Sequence, residues 1–267
     1  GVNHIEAHIA TNWLDVGATE DRAQTGEQPA QAGGVSEGTK RFEARFPLLC
    51  LIVSGGHTDL ILMDSYGEYR RLGGTIDDAA GEAFDKVARL LNLDYPGGPA
   101  IQRAAERGSP RAFPLPRARL DHSYDFSFSG LKTAVLRTVQ RYEPSVRRPA
   151  DKLSQADATQ PERNLHPRVV ADLAASFQAA VVDVLVDKTC RAANEHDVAG
   201  VLMAGGVAAN RPLREKLKSA LDVPLRMPPT ALATDNATGV GVAGYWALRQ
   251  GHVSDWDLDV VPRLKLA

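Results

Sequence analysis

Two histidines near the start of the chain have the spacing of a metal-binding pair. His4 and His8, in the segment Asn3–His8 (NHIEAH), lie four residues apart. On a helix both imidazoles therefore face one side and can bind one ion. Such a pair needs a third ligand, and Asp235 is the candidate carboxylate from elsewhere in the chain. Taken alone, the pair is more simply explained as two surface histidines on an amphipathic helix.

The same segment shares only its histidine spacing with the HExxH motif of zinc proteases. In that motif the glutamate directly follows the first histidine, whereas Glu6 is two residues on, roughly 200° around a helix from His4. A metalloprotease is therefore the weakest interpretation of this segment.

Two glycine-containing turns have the character of anion-binding loops. Val53–Asp59 (VSGGHTD) joins two apolar runs, and its glycines let backbone N–H groups approach an anion. Met203–Asn210 (MAGGVAAN) leads from a predicted strand into a helix N-terminus, where nucleotides often bind. Neither is a GxGxxG or a GxxxxGK[ST] motif, and each is also compatible with a turn that binds nothing.

Several carboxylates follow on one predicted helix. Asp77 and Asp78 are good helix-start residues, and Ile76 fits the apolar spacing that follows. Asp85 is suited to accept hydrogen bonds from ribose hydroxyls, although an acidic helix is more often a solvated face. The helix is predicted to break at Tyr95–Pro99 (YPGGP).

Strands and helices alternate along the chain, with glycine turns where strands end. Strands are predicted at Leu48–Val53, Asp59–Met63, Val198–Met203 and Val223–Met227; helices are predicted at Gly1–Leu14, from Asp77, at Ser129–Tyr142, after Pro167, at Asn210–Leu217 and at Asp235–Leu248. This order is typical of an α/β fold with ligand sites at the carboxyl edge of its sheet. Three glycines in the last helix, Gly239, Gly241 and Gly244, predict that another backbone packs closely there.

Composition limits the classes of function. A net charge of −2 excludes a generally basic nucleic-acid coat, though not a local basic patch. Cys50 and Cys190 form no CxxC, so neither a disulfide framework nor a cysteine zinc site is indicated. No apolar run is expected to span a membrane, which favours a soluble, cytoplasmic protein. The polar stretch at about 15–44 predicts a flexible insertion, and the polar, proline-containing stretch at about 143–167 predicts a linker.

Six segments, in this order, resemble the TsaD family of tRNA N6-adenosine threonylcarbamoyltransferases, formerly called O-sialoglycoprotein endopeptidases. They are Asn3–His8, Val53–Leu60 (VSGGHTDL), Gly74–Pro99, Asp125–Val135 (DFSFSGLKTAV), Gly205–Arg214 (GGVAANRPLR) and Thr234–Ala237 (TDNA). Six ordered segments are far more specific than any one of them, and DFSFSGLKTAV is similar to the bacterial or organellar branch.

The resemblance implies an actin-like (ASKHA) fold with two lobes, of which this chain holds mostly the second. Residues 1–45 are expected to be a remnant of the first lobe, with the metal-ligand helix and the insertion at 15–44. Residues 46–235 are expected to form the second lobe, and 236–267 a C-terminal helix and tail that return toward the first. The family's N-terminal segment is missing before Gly1, so this chain is expected to be a truncated form with little activity alone.

The resemblance also implies a reaction and a set of ligands. The family transfers a threonylcarbamoyl group from threonylcarbamoyl-AMP to N6 of adenosine-37 in tRNAs that read ANN codons, with TsaB- and TsaE-type accessory proteins. His4, His8 and Asp235 match its metal ligands, which usually hold one Fe²⁺ per subunit, with Zn²⁺ or another divalent ion as the alternative. The positions that match its substrate contacts are Ile52, Val53, Ser54, Gly55, Gly56, Asp85, Gly98 and Asn210.

Arginines near the fourth of these segments are candidate contacts to tRNA phosphates. They are Arg103, Arg107, Arg111, Arg117, Arg119, Arg137, Arg141, Arg147 and Arg148. Solvated helix faces explain them equally well. Two other functions stay open: another actin-like ATPase or sugar kinase, which would not need His4 and His8, and a non-catalytic scaffold subunit, against which the three metal-ligand matches argue.

Overall fold

A computed structural model of the chain describes residues 1–14, 44–118, 120, 122–142, 165–261, 264 and 266. The insertion predicted at 15–44 and the linker predicted at 143–167 lie almost wholly outside these residues. The division into two lobes stays a prediction.

Within the described residues, a five-stranded mixed sheet forms the centre of the fold. Its strands are β1 (Leu48–Val53), β2 (Thr58–Ser65), β3 (Glu68–Gly74), β4 (Gly200–Ala204) and β5 (Leu225–Arg226), in the spatial order β3-β2-β1-β4-β5. β1 pairs antiparallel with β2 and parallel with β4, and β5 extends the parallel half. All four strands predicted from apolar runs are thereby confirmed, although β5 is shorter than predicted.

Helices cover both faces of this sheet. They are α1 (His4–Ala10), α2 (Ala80–Leu90), α3 (Gly97–Ala105), α4 (Ser129–Tyr142), α5 (Pro167–Glu195), α6 (Arg211–Ala220) and α7 (Ala237–Arg249). Every side chain of β1 is buried because its two faces pack in different layers. Leu49, Leu51 and Val53 join the core with α2 and α5, whereas Cys50 and Ile52 pack against α1.

Two elements were not predicted from the sequence. β3 is an edge strand in which three of the seven residues are charged and exposed, so it carries no apolar run. α3 begins at Gly97, inside the segment predicted as a break. Pro96 is its N-cap and Pro99 lies in its first turn, where a missing N–H costs nothing. The YPGGP segment therefore ends one helix and starts the next.

The start of α2 corrects another prediction. The helix begins at Ala80, with Ala79 as its N-cap, so neither Asp77 nor Asp78 caps it. Ile76 lies outside the helix, with 65% of its surface exposed. Asp77 instead accepts hydrogen bonds at the start of α4, from the backbone N–H groups of Phe128 and Ser129. It caps a helix 52 residues further along the chain.

By length and composition alone, α5 could cross a membrane, contrary to the expectation from the sequence: its best window has a mean hydropathy of 1.8. In the fold, 72% of that window is buried. It is therefore built as the central helix of the core.

Candidate functional site

The two histidines and Asp235 meet where α1 packs on α7. The Asn3 side chain caps α1 by accepting from the backbone N–H of Ile5 at 2.8 Å, which fixes the start of the helix at His4. Asp235 directly precedes Asn236, whose side chain caps α7 in the same way. The three side chains are thus placed by two helix starts from opposite ends of the chain.

Close contact of these helices depends on Gly239. A Cβ added to this glycine of α7 would lie 2.4 Å from the carbonyl oxygen of Ala7 in α1. The prediction of close backbone packing is therefore right at Gly239. At Gly241 the space is open, and at Gly244 only ordinary contact with the Val2 side chain would result, so the prediction is wrong at these two positions.

The three side chains form a compact donor set. The Nε2 atom of His8 lies 3.1 Å from Oδ1 of Asp235, and that of His4 lies 3.9 Å from the same oxygen. Their ligand atoms all lie within 4.8 Å of one another, in a cavity of about 110 Å³. His8 is 5% exposed, whereas Asp235 is open to solvent. Among the described residues, no other cluster of three or more His, Cys, Asp or Glu side chains could hold a metal ion.

The state of His8 fits metal binding. Its buried Nε2 forms no well-aligned hydrogen bond among the described residues, and the Asp235 carboxylate lies 3.1 Å away. Burial lowers the pKa of His8, and the neighbouring His4 and His57 lower it further, while Asp235 acts in the opposite direction. A neutral imidazole is the form that binds a metal. Two imidazoles and a carboxylate suit Fe²⁺ or Zn²⁺.

Glu6 lies away from this donor set, as its position on the helix predicts. Its carboxylate accepts a hydrogen bond from the Tyr69 hydroxyl of β3 at 3.2 Å. Burial raises the pKa of Glu6, although the Tyr69 hydrogen bond opposes the shift. The carboxylate therefore does not stand where the general base of a zinc protease would.

His57, which was not predicted from the sequence, is a third imidazole beside the cluster. Its ring centroid lies 6.0 Å from that of His4. Burial lowers the pKa of His57, with Asp59 opposing the shift. In the sequence, His57 is marked only by its position directly after the glycines of VSGGHTDL. It has no partner at helical spacing that would indicate a metal-binding role.

The turn between β1 and β2 offers backbone rather than side chains to a ligand. Ile52 and Val53, both predicted contacts, have no exposed surface and are paired with β2 in the sheet. The Ser54 hydroxyl accepts hydrogen bonds from the backbone N–H of Gly56 and of His57, at 3.3 and 3.0 Å. Gly55 and Gly56 are exposed, with open space where a Cβ would lie.

The turn after β4 lies directly beside this first turn. Gly205 has φ of +94°, a conformation that glycine adopts readily, and it packs against the Val53 carbonyl. A Cβ on Gly206 would lie 3.9 Å from the side chain of Thr234, the residue before Asp235. Both turns and the segment that contains Asp235 thus converge at the carboxyl ends of the parallel strands, as predicted for an α/β fold.

The other predicted contacts fall into two structural roles. Asp85 and Gly98 come close where α2 meets α3, because Oδ1 of Asp85 accepts from the backbone N–H of Gly97 at 2.7 Å. Gly98 is unobstructed. Asn210 is buried: its Oδ1 caps α6 through Leu213, and its amide donates to Gln178 at 2.9 Å. Its side chain therefore holds structure at the base of the turn.

The architecture is shared with solved structures. Full-length HypF in a phosphate- and nucleotide-bound form has a TM-score of 0.57 over 95% of this chain and 44% of its own, with 13% identity. HypF of T. kodakarensis also has a TM-score of 0.57, over 94% of this chain and 37% of its own, with 15% identity. The protein has an α/β fold of the actin-like ATPase (ASKHA) type, as predicted.

Sequence comparison places the chain more narrowly. The family described as tRNA N6-adenosine threonylcarbamoyltransferase (TsaD) matches residues 30–242. Curated proteins of that name match the chain in three bacteria. The protein of Thermomicrobium roseum is 52% identical over 99% of this chain and 67% of its own length. Those of Symbiobacterium thermophilum and Bacillus subtilis are 46% and 47% identical over all of this chain, and the match covers 66% and 65% of their own lengths. The chain belongs to the TsaD family of tRNA-modifying transferases. It spans about two thirds of the length of these relatives.

Proposed function

We propose that the protein to which this chain belongs transfers a threonylcarbamoyl group from threonylcarbamoyl-AMP to N6 of adenosine-37 in tRNAs that read ANN codons. Membership in the family supports the reaction class and tRNA as substrate. The observation that carries the proposal is the convergence of His4, His8 and Asp235 within 4.8 Å, beside two glycine turns.

Catalysis of this reaction depends more on positioning the two substrates than on activating the acyl donor, because a mixed anhydride is already reactive. The N6 amine attacks the carbamoyl carbon and gives up one proton to solvent, a C–N bond forms, the C–O bond to the phosphate breaks, and AMP leaves. Exposed Gly55 and Gly56 give the AMP phosphate access to main chain, and Asp85 beside Gly98 presents a carboxylate to the ribose hydroxyls. Holding both substrates side by side supplies several kcal/mol of barrier reduction, on the order of an intramolecular reaction.

His4, His8 and Asp235 would hold one divalent cation, which we propose to be Fe²⁺, with Zn²⁺ as the alternative. A cation there supplies Lewis-acid polarisation of a carbonyl or phosphate oxygen. The contribution of the chain is a buried, neutral His8 aimed into the cavity and a solvent-open Asp235 that completes the set. We also propose a cytoplasmic location and TsaB- and TsaE-type accessory proteins.

The experiment is reconstitution with the protein expressed from its complete gene, accessory proteins, threonylcarbamoyl-AMP and tRNA, followed by mass spectrometry of the nucleosides. The unchanged protein is expected to yield threonylcarbamoyl-adenosine. His8→Ala is expected to abolish both the product and the bound metal found by elemental analysis. Glu6→Gln, on the same helix but facing Tyr69, is the matched control and retains both. Unmodified tRNA with the unchanged protein refutes the proposal, and full activity in His8→Ala refutes the role of the cation.

No observation on the described residues favours the alternatives of a sugar kinase or a scaffold subunit. Both predict that His8→Ala leaves function intact, so the same experiment tests them.

A further inference from the structure

A groove of about 510 Å³ lies between α4 and the loop formed by residues 109–118. One wall is the last two turns of α4, with Arg137 and Arg141, and the other is the loop around Phe113. Leu115 is buried at its base and Tyr142 stands at one end, half exposed. None of this groove belongs to the metal-ligand cluster or the glycine turns.

The groove carries positive charge that no carboxylate among the described residues neutralises. Arg137 and Arg141 lie one helical turn apart, both exposed, and neither forms an ion pair with any carboxylate in the described part of the chain. No acidic side chain lines the groove there either. By contrast, Arg117 at the end of the loop is paired with Asp183 at 2.8 Å. Like charges one turn apart repel each other, and a bound anion would remove that repulsion.

Two aromatic rings stand beside the arginines. Phe113 and Tyr142 meet edge to face, with ring centroids 5.7 Å apart and planes at 89°. Tyr142 leaves 52% of its surface exposed. Exposed aromatic faces next to guanidinium groups are the combination that stacks unpaired bases while binding the neighbouring phosphates. An acidic peptide would need the charges but not the flat rings.

The loop wall is held in place although it has no regular secondary structure. The backbone N–H of Ser109 donates to Asp172 at 2.7 Å, and that of Phe113 donates to the Ser176 hydroxyl at 3.2 Å. Both partners belong to the buried helix α5. The groove therefore exists before a ligand arrives, which lowers the entropy that binding must offset.

We propose that this groove binds a single-stranded part of the tRNA substrate, with Arg137 and Arg141 on two phosphates and Tyr142 stacked on a base. This inference rests on the proposed function, because the family's named substrate is tRNA. It adds a surface that fixes where the nucleic acid lies relative to the chain. Overall charge would not have shown it, since the net charge is −2.

The test measures tRNA binding by fluorescence anisotropy over a range of NaCl, with the protein expressed from its complete gene. Arg137→Gln/Arg141→Gln is expected to weaken binding about 25- to 60-fold at 0.1 M salt, because each lost phosphate contact lowers the salt slope by about 0.7–0.9. Tyr142→Ala is expected to weaken binding several-fold without changing that slope, since stacking releases no counterions.

The matched control is Arg89→Gln/Lys218→Gln, which removes two exposed positive charges on α2 and α6. It is expected to change binding by about two-fold or less, through net charge alone. Equal effects in both double variants overturn the proposal and leave the proposed function standing. Loss of heparin binding in parallel, with Tyr142→Ala neutral, also overturns it and indicates a general polyanion site. If the unchanged protein binds no tRNA, the proposed function itself fails.

Discussion

Gly239→Ala is expected to destabilise the protein even though alanine is the better helix former. The new Cβ would lie 2.4 Å from the Ala7 carbonyl oxygen and 2.9 Å from the Thr11 side chain, closer than the 3.0 Å that real Cβ atoms keep. Neither obstacle is a flexible chain end, since one is backbone and the other is a buried side chain. α1 and α7 must therefore move apart.

The size of the effect follows from comparison with Gly241→Ala on the same helix, where the space is open. Both variants gain about 1 kcal/mol of helix propensity. Only Gly239→Ala also overpacks an interface, which costs about 1–3 kcal/mol. The difference between the two free energies of unfolding isolates that steric cost, so Gly239→Ala should be the less stable by about 1–3 kcal/mol.

Urea denaturation of both variants measures this difference, and calorimetric titration with Zn²⁺ or Co²⁺ measures its effect on the site. His8 and Asp235 lie on the two sides of the contact, so metal affinity should fall in Gly239→Ala and stay unchanged in Gly241→Ala. Equal stability and equal metal affinity in the two variants would refute the view that contact at Gly239 sets the ligand geometry.

Two other side chains have expected effects on stability. Asp77→Asn is expected to cost about 1 kcal/mol near neutral pH, a low value because Asp77 is exposed. Burial opposes ionisation of Asp77, but hydrogen bonds from Ser127, Phe128 and Ser129 outweigh it and hold its pKa below the usual range. This stabilisation is complete above the pKa of the unfolded state, about 3.9, and is lost as pH falls through the lower pKa of the folded state. The urea midpoints of the unchanged protein and Asp77→Asn should therefore converge in acid. A difference between the midpoints that stays constant with pH would refute this explanation. Asn210→Ala is expected to cost about 1–2 kcal/mol, because it removes the cap of α6 and leaves Gln178 without its partner, whereas Asn210→Asp keeps the cap and should lose less. Equal losses in the two Asn210 variants, again by urea denaturation, would show that capping is not the reason.

Local patterns predicted most of the fold. The continuous apolar run of β1 indicates a strand buried on both faces, and the structure covers both. The spacing of His4 and His8 gives their common helix face directly. What spacing could not supply was the third ligand: Asp235 entered as a candidate carboxylate, and the resemblance to a family supported that choice.

The errors have a common physical cause, which is that the decisive partner lies far away in the chain. Asp77 looks like the cap of the helix that follows it, yet its hydrogen bonds go to the start of α4. Gly239 and Gly241 are both glycines, two positions apart on the same helix, and only packing against α1 distinguishes them.

The loop that walls the groove has a consequence for how the chain acquires its structure. Its ties to Asp172, Ser176 and Asp183 reach 63 to 66 residues ahead. During synthesis this stretch leaves the ribosome long before those partners exist, and closing such a span costs entropy that only the completed helix repays. Its ordering must therefore be a late step that accompanies docking of α5. Nascent chains arrested before residue 167 should leave its amides open to hydrogen exchange, and chains arrested well beyond 195 should protect them.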